Sequence, residues 1–339
     1  MNKEEYIARL TEFGLDANKY YIISGGSLLM HGLRAQTADI DLKVKPTYFK
    51  ELKTRFNITK SPKFDYLYNL ANDAEIAVED FGPDEIDWID GLPVEKVDLE
   101  LAWKIEHNRP KDQADIRRIK GYIIARDASD INPELRKHVV EKIVPQYAQN
   151  DAGHQMDHIG YVIERSLKFA RSVSEPLDLD MVYAIAAYHD VGHHIDADNH
   201  EKVSANILLK DQKLHDFFNE DQMQIMADAI ADHRSTSDME PRTIYGKIVS
   251  SADRNTSVIE PLWRTYEYRK EHTPDASLDE IIEESRKHLL EKFGPSGYAK
   301  QKMYVDDPDY TKFLKDITEL ASDKQRFRAE FIAANNIKV

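Results

Sequence analysis

The sequence predicts an α+β domain over residues 1–130 followed by an all-helical domain over residues 131–339. Three observations carry this expectation. Short β-branched runs bounded by turn residues alternate with helical stretches in the first third. From about Pro133 the strand signals fade and helical apolar periodicity takes over. A chain of 339 residues also exceeds one ordinary core, so two domains are the starting expectation.

Taken in order, "MNKEEYIARLTEFG" is a charged amphipathic segment without the apolar core of a signal peptide. "YYIISGG" (Tyr20 to Gly26) and "DIDLKVK" (Asp39 to Lys45) read as short strands, with "SLLMHGL" between them as a helix opened by Ser27. "AEIAVEDF" is a further strand, and "PVEKVDLELAWKIE" leads into the helical "KDQADIRRIKGYIIA". The helical part follows with "PELRKHVVEKIVPQYA", "MDHIGYVIERSLKFARSV", "DLDMVYAIAAYHDVG", "HEKVSANILLK" and "EDQMQIMADAIADH". "RTIYGKIVSSADRNTSVIEPLWRTYEYRK" and "SLDEIIEESRKHLLEKF" continue the helical domain, which ends in a C-terminal helical extension. "PLDLD" supplies a helix start at Asp178 or Asp180. No repeat or low-complexity linker marks the boundary, which rests on the change of pattern near residues 126–134.

Composition narrows the chemistry. The formal net charge of −15 repels polyanions, which disfavours nucleic acid as a partner. The absence of cysteine removes disulfides, thiolate nucleophiles and sulfur-ligated zinc, so any metal is held by nitrogen and oxygen. No apolar run approaches a membrane span, and the expected location is cytoplasmic. No heptad seam announces an oligomer, and the oligomeric state stays open.

The costly groups cluster. His158 heads a helix whose apolar stripe runs through Ile159, Val162, Ile163 and Leu167. His189 and Asp190 end the next helix, behind Ala184, Ile185, Ala187 and Tyr188. His233 ends another, and Asp253 follows the apolar "IVSSA". One buried histidine is ordinarily a satisfied core residue, but buried carboxylates beside apolar runs need a compensating charge. A divalent cation shared with imidazoles supplies it, and this donor set suits manganese, iron, nickel, cobalt or zinc.

The order His158, His189-Asp190, Asp253 resembles the HD superfamily of metal-dependent phosphohydrolases, with "HIGYV", "AAYHDVG" and "SSADR" as the local contexts. The resemblance spans most of residues 145–270 and implies an all-helical fold and a metal held by those four residues. His200 in "HEKVSANIL" and His233 in "AIADH" match the two extra histidines with which two-metal members hold a second ion. With two ions Asp190 bridges them; with one, His200 and His233 face the phosphate. The metal-bound water is then the nucleophile and the chain needs none of its own. "NDAGHQMDHI" and the tail "HLLEKFGPSGYAKQKMY" are similar to a bacterial subgroup, to whose pattern His154 belongs, as support for the site or as an exposed loop residue. His193 and His194 are solvated loop residues or include a proton donor to the leaving group. Arg254 neutralises a phosphate oxygen or forms a surface ion pair, and Arg234 has the same two readings.

"SGGSLLMHGLRAQTADIDLKV" suggests a second site. Gly25 and Gly26 let a phosphate approach the backbone before Ser27, and Asp39 and Asp41, two apart on a strand, present both carboxylates to one side. Such a pair grips magnesium on nucleotide phosphates. Arg34, Thr37 and Asp39 to Leu42 resemble the "RxTxDIDL" branch of the nucleotidyltransferase superfamily, as does "RPKDQADI" from Arg109 to Ile116. The family's third carboxylate has Glu79 and Asp80 as its candidates here. A nucleotidyltransferase-like fold that binds without catalysing transfer is the alternative.

Three functions follow. The first is hydrolysis of a nucleotide or similar small phosphorylated compound by the helical domain, with Asp190 catalytic. The second is nucleotidyl transfer through Asp39 and Asp41, regulated or reversed by the helical domain. The third is a non-catalytic nucleotide-binding sensor.

Overall fold

A computed structural model of the chain describes residues 1–151, 153–234, 239–297, 299 and 304–337. The first part follows the order α1 (Lys3–Glu12), β1 (Tyr20–Ile22), α2 (Ser24–Met30), β2 (Ile40–Val44) and α3 (Pro46–Arg55). Then come β3 (Thr59–Lys60), β4 (Leu67–Ala71), β5 (Ala74–Val78), β6 (Ile86–Ile89), β7 (Leu92–Glu95), α4 (Val97–His107) and α5 (Gln113–Arg126). The strands form one mixed sheet in the order β3-β4-β5-β2-β1-β7-β6. β2 is antiparallel to β1 and parallel to β5, so the strand carrying Asp41 sits in the middle.

Alternation explains β2: Ile40, Leu42 and Val44 are buried while Asp41 and Lys43 stand on the other face. The hairpin β6–β7 went unread in the sequence, although its signal is present. Asp90 and Gly91 both take positive φ (52° and 76°), the conformation that an Asp-Gly pair supplies most cheaply between two strands. α2 starts at Ser24 rather than Ser27, so Gly25 and Gly26 lie in its first turn and not at a strand end. Ser24 itself holds a φ of 55° where the chain turns from strand to helix.

The helical part comprises α6 (Pro133–His138), α7 (Val144–Tyr147), α8 (Met156–Ser172), α9 (Leu179–Tyr188), α10 (His200–Lys210), α11 (Glu220–Ala231) and α12 (Ile244–Ala252). A π-helical turn, Val139–Ile143, divides the expected single helix into α6 and α7 just before Pro145, whose missing N–H cannot continue the ladder. The extension follows as α13 (Ile259–His272), α14 (Leu278–Phe293), α15 (Pro308–Ser322) and α16 (Lys324–Ala334). Asp178 caps α9, accepting from the Asp180 and Met181 N–H groups. Of the tail motif, Tyr298 and Lys300 to Met303 lie outside the described residues.

Apolar burial joins the two parts. Ile119, Tyr122 and Ala125 of α5, with Leu28, Leu33 and Val97, belong to the same core as Ile159 and Ile163 of α8 and the apolar run of α9. α5 and α8 approach so closely at Gly121 and Gly160 that a Cβ on either would strike the backbone of the other helix. A separate core, with Leu289, Phe313, Phe327 and Phe331, holds α13 to α16 together. Arg165 ties that extension to α8 and α12, donating to the Ala252 carbonyl at 3.1 Å and pairing with Asp307. Among the described residues no helix is long and apolar enough to cross a membrane.

Candidate metal centre

Five helix ends converge on one site. His158 lies in the first turn of α8. His189 caps the C-terminus of α9 with Asp190 next to it. His200 is the first residue of α10, and His233 follows the end of α11. Asp253 caps the C-terminus of α12. Asp190 is 2% exposed, and its two oxygens face different pairs of imidazoles. Oδ2 lies 3.4 Å from His158 Nε2 and 3.2 Å from His189 Nε2. Oδ1 lies 3.2 Å from His200 Nε2 and 3.4 Å from His233 Nε2. Asp253 Oδ1 stands 3.2 Å from His158 Nε2. The structure thus gathers five of the six sequence-predicted residues into two groups that share Asp190, with Asp253 beside His158.

The hydrogen bonds behind these residues decide what they can hold. Nδ1 of His189, His200 and His233 lies 2.8, 2.8 and 2.7 Å from the carbonyls of Ala186, Ala197 and Ile230. A carbonyl only accepts, so each Nδ1 carries a proton, and in the neutral form of each ring Nε2 is the bare nitrogen turned toward Asp190. Asp190 Oδ1, buried, has no hydrogen-bond donor among the described residues. Lone pairs facing lone pairs repel unless a cation lies between them, and the donor set of imidazole nitrogen and carboxylate oxygen suits a divalent transition ion. The titrations divide the histidines: burial pulls His233 down, but Asp190 outweighs it and raises the pKa. Burial pulls the His158 imidazole down, but Asp190 and Asp253 outweigh it and push the pKa up to about 10. Burial opposes ionisation of Asp190 and Asp253, yet the surrounding histidines hold both below the ordinary carboxylate range. Burial lowers His200, which favours the neutral ligand form.

One neighbour went unread in the sequence. Asn150, 4% exposed, donates to the Asp190 carbonyl at 3.1 Å and to the His154 carbonyl at 2.9 Å, and its Oδ1 accepts from the His194 N–H at 3.0 Å. His194 is therefore a loop strut. His154 is half-buried beside the centre, paired with Asp151 at 2.8 Å and stacked on His193 with ring centroids 3.9 Å apart. Arg254 is buried, its carbonyl accepting from the Tyr161 hydroxyl at 2.7 Å. Arg234 instead pairs with Glu201 at 3.3 Å. A cleft of about 1060 Å³ opens over the centre, lined by His158, Asp190, Asp253, Arg254, Tyr161 and Trp263 among others.

The N-terminal motif assembles differently from its sequence reading. Register places Glu75 of β5 directly beside Asp41, whereas Glu79 lies beyond the strand end, paired with Lys43 at 3.1 Å, and Asp80 is exposed. Glu75 is thus the strand neighbour that Glu79 and Asp80 were expected to be; parallel pairing, invisible in a linear sequence, selects it. Burial, then Asp39 and Glu75, push the Asp41 pKa up to about 7. Gly25 packs on Thr37, where a Cβ would come within 2.6 Å of Oγ1. Gly26 instead backs onto the Tyr6 hydroxyl. Ser27, expected to meet a cofactor, is buried and donates to the Glu95 carbonyl at 3.1 Å. Arg34 donates to Asp115 at 3.0 Å, which joins the "RxTxDIDL" and "RPKDQADI" segments. Behind them Lys104, 4% exposed, pairs with Glu100, Asp112 and Asp115 at 3.0, 3.1 and 3.0 Å.

A raised carboxylate pKa has a definite sign in stability. The native chain binds the Asp41 proton more tightly than the unfolded chain, so this group costs stability as pH rises from about 4 to 7. Asp41→Asn is expected to raise the melting temperature at about pH 8 by about 2 °C or more and to leave it unchanged near pH 4. Thermal melts at the two pH values check this; a gain of equal size at both would refute the electrostatic cause.

Neither the curated proteins nor the solved structures yield a match to the chain. Residues 156–256 match the family model of the HD domain, an interval that contains His158, His189, Asp190, His200, His233 and Asp253. With the geometry above, residues 156–256 are similar to the HD domain, a domain typical of metal-dependent hydrolases.

Proposed function

We propose that the chain is a phosphohydrolase of small phosphorylated compounds, with a nucleotide as the substrate class. In this reading His158, His189, Asp190 and Asp253 hold one divalent transition ion, and His200 and His233 share Asp190 with a second. The observation that carries it is the Asp190 carboxylate set between bare imidazole nitrogens on both sides. A bound ion would acidify a water and polarise the phosphoryl oxygen. The chain's own contributions are positional. The carbonyl-anchored histidines keep their lone pairs aimed, Asn150 holds the Asp190 backbone, and Arg254, which lines the cleft, is a counter-charge for phosphate. Tyr161 and Trp263 supply apolar wall for a base.

Hydrolysis of a nucleotide panel and a generic phosphate ester, with manganese, iron, nickel, cobalt or zinc added in turn, tests this. Metal-dependent phosphate release is expected; no release with any metal, together with no bound ion by elemental analysis, would count against it and favour a non-catalytic sensor.

A second activity has its own observation. Asp39, Asp41 and Glu75 gather carboxylates at the centre of the sheet, which supports magnesium-dependent nucleotidyl transfer by a nucleotidyltransferase-like domain over residues 1–130, with the helical part regulating or reversing it. Incorporation of labelled nucleotide that is lost in Asp39→Asn and Asp41→Asn is the expected result. Absence of incorporation from all four nucleotides removes this second activity.

A further inference from the structure

The cleft over the metal centre is far larger than one phosphate group fills, and its cations come from two directions. Arg117, Arg118 and Lys120 project from α5; Arg254, Arg264 and Lys292 come from the side of α12, α13 and α14. Several of these charges are already matched. Arg117 pairs with Asp157 at 3.5 Å, and Arg118 with Asp115 at 3.3 Å while donating to Gln155 at 2.6 Å. Arg264 pairs with Glu260 at 2.8 Å and donates to the Gly153 carbonyl at 3.0 Å.

Lys292 differs. It is half-buried at the end of α14, its Nζ 5.2 Å from the Phe293 ring centroid, and among the described residues no carboxylate lies within ion-pair distance. Burial, then the positive charges of Arg264 and Arg254, lower its pKa; Asp253 and Glu260 oppose them only in part. An ammonium half out of water, with no carboxylate among the described residues within ion-pair distance, is costly in a chain with acidic side chains to spare, unless an anion joins it.

We propose that Lys292, with Arg254 and Arg264, forms an anion subsite beside the metal centre that takes a second phosphate group, next to the one being hydrolysed. The substrate class is then a compound with linked phosphates, such as a nucleoside diphosphate or triphosphate. The use of this subsite rests on the phosphohydrolase reading; its existence does not. Lys292 lies outside the HD match, so the C-terminal extension supplies specificity to the centre as well as a core of its own.

The test is a calorimetric titration of inorganic pyrophosphate into the full chain stripped of metal by a chelator. Wild type is expected to bind pyrophosphate more tightly than orthophosphate. Lys292→Met should weaken pyrophosphate binding roughly tenfold, and Lys292→Arg, which keeps the charge, should stay within about threefold of wild type. Lys315→Met, on the exposed face of α15, measures the effect of losing a distant positive charge. Equal affinity in wild type and Lys292→Met, an equal loss in Lys315→Met, or no pyrophosphate binding by wild type overturns the proposal. Because the titration reads neither metal nor turnover, failure of the hydrolase reading shows separately, in the metal and substrate panel.

Discussion

Replacing Asp190 by alanine is expected to remove bound transition metal and to lower phosphate release by at least about 10³-fold. The reasoning is electrostatic. Asp190 is the carboxylate shared by both groups of residues placed to hold an ion, its Oδ2 facing His158 and His189 and its Oδ1 facing His200 and His233. Without it, one group keeps imidazoles and Asp253, and the other keeps imidazoles alone. Asp190→Asn holds the shape while removing the charge, so a matching loss in that variant assigns the effect to charge rather than to a cavity. Elemental analysis reads the metal and a phosphate-release assay reads the turnover. Wild-type turnover in either variant would sink the assignment of Asp190, whatever happens to the metal.

The second large effect is on stability. Gly160→Val is expected to destabilise the chain by at least about 3 kcal/mol, lowering the melting temperature by roughly 6–12 °C. A side chain at Gly160 meets Gly121 backbone, and backbone cannot rotate away as a flexible side chain does. α8 must then move off α5, and α8 carries His158 only two residues earlier. Metal affinity should therefore fall together with stability. Lys168→Ala, exposed on the same helix, controls for the substitution itself and should stay within about 0.5 kcal/mol of wild type. Denaturant unfolding with a metal titration on the same samples checks both arms. An unchanged midpoint in Gly160→Val would mean that the two helices do not meet at these glycines.

The helical site was legible because its residues advertise themselves locally. Histidine and aspartate at the ends of strongly apolar helices are expensive there, and the pair His189-Asp190 lies next to an unbroken run of buried residues from Met181 to Tyr188. The ends of α8, α9, α10, α11 and α12 were therefore close to where the periodicity placed them. The N-terminal site was less legible. Its second-strand carboxylate, Glu75, is one acidic residue among several in "AEIAVEDF", and only parallel pairing with β2 distinguishes it from Glu79 and Asp80. Ser27 looked available for a ligand in a glycine-rich turn, but the helix starts a turn earlier and rotates its hydroxyl onto the Glu95 carbonyl. Asn150 and Lys292 lie within the quoted "NDAGHQMDHI" and "HLLEKFGPSGYAKQKMY" but were not singled out there, since a polar residue in a loop and a lysine on a charged helix are ordinary in sequence.

By itself the sequence determined the order of the helices from α8 to α12, the nitrogen and oxygen character of any metal site and the identity of the six histidine and aspartate residues that converge. Those features depend on local chemistry: apolar period, capping and the cost of burying charge. The tertiary structure alone decided which oxygen of Asp190 faces which histidines and which acid stands beside Asp41. It also decided that α5 shares a core with the helical part, and that a lysine from the C-terminal extension reaches the cleft. Each of these depends on contacts between residues far apart in the chain, whose register and approach are set by strand pairing and close packing rather than by neighbours in sequence.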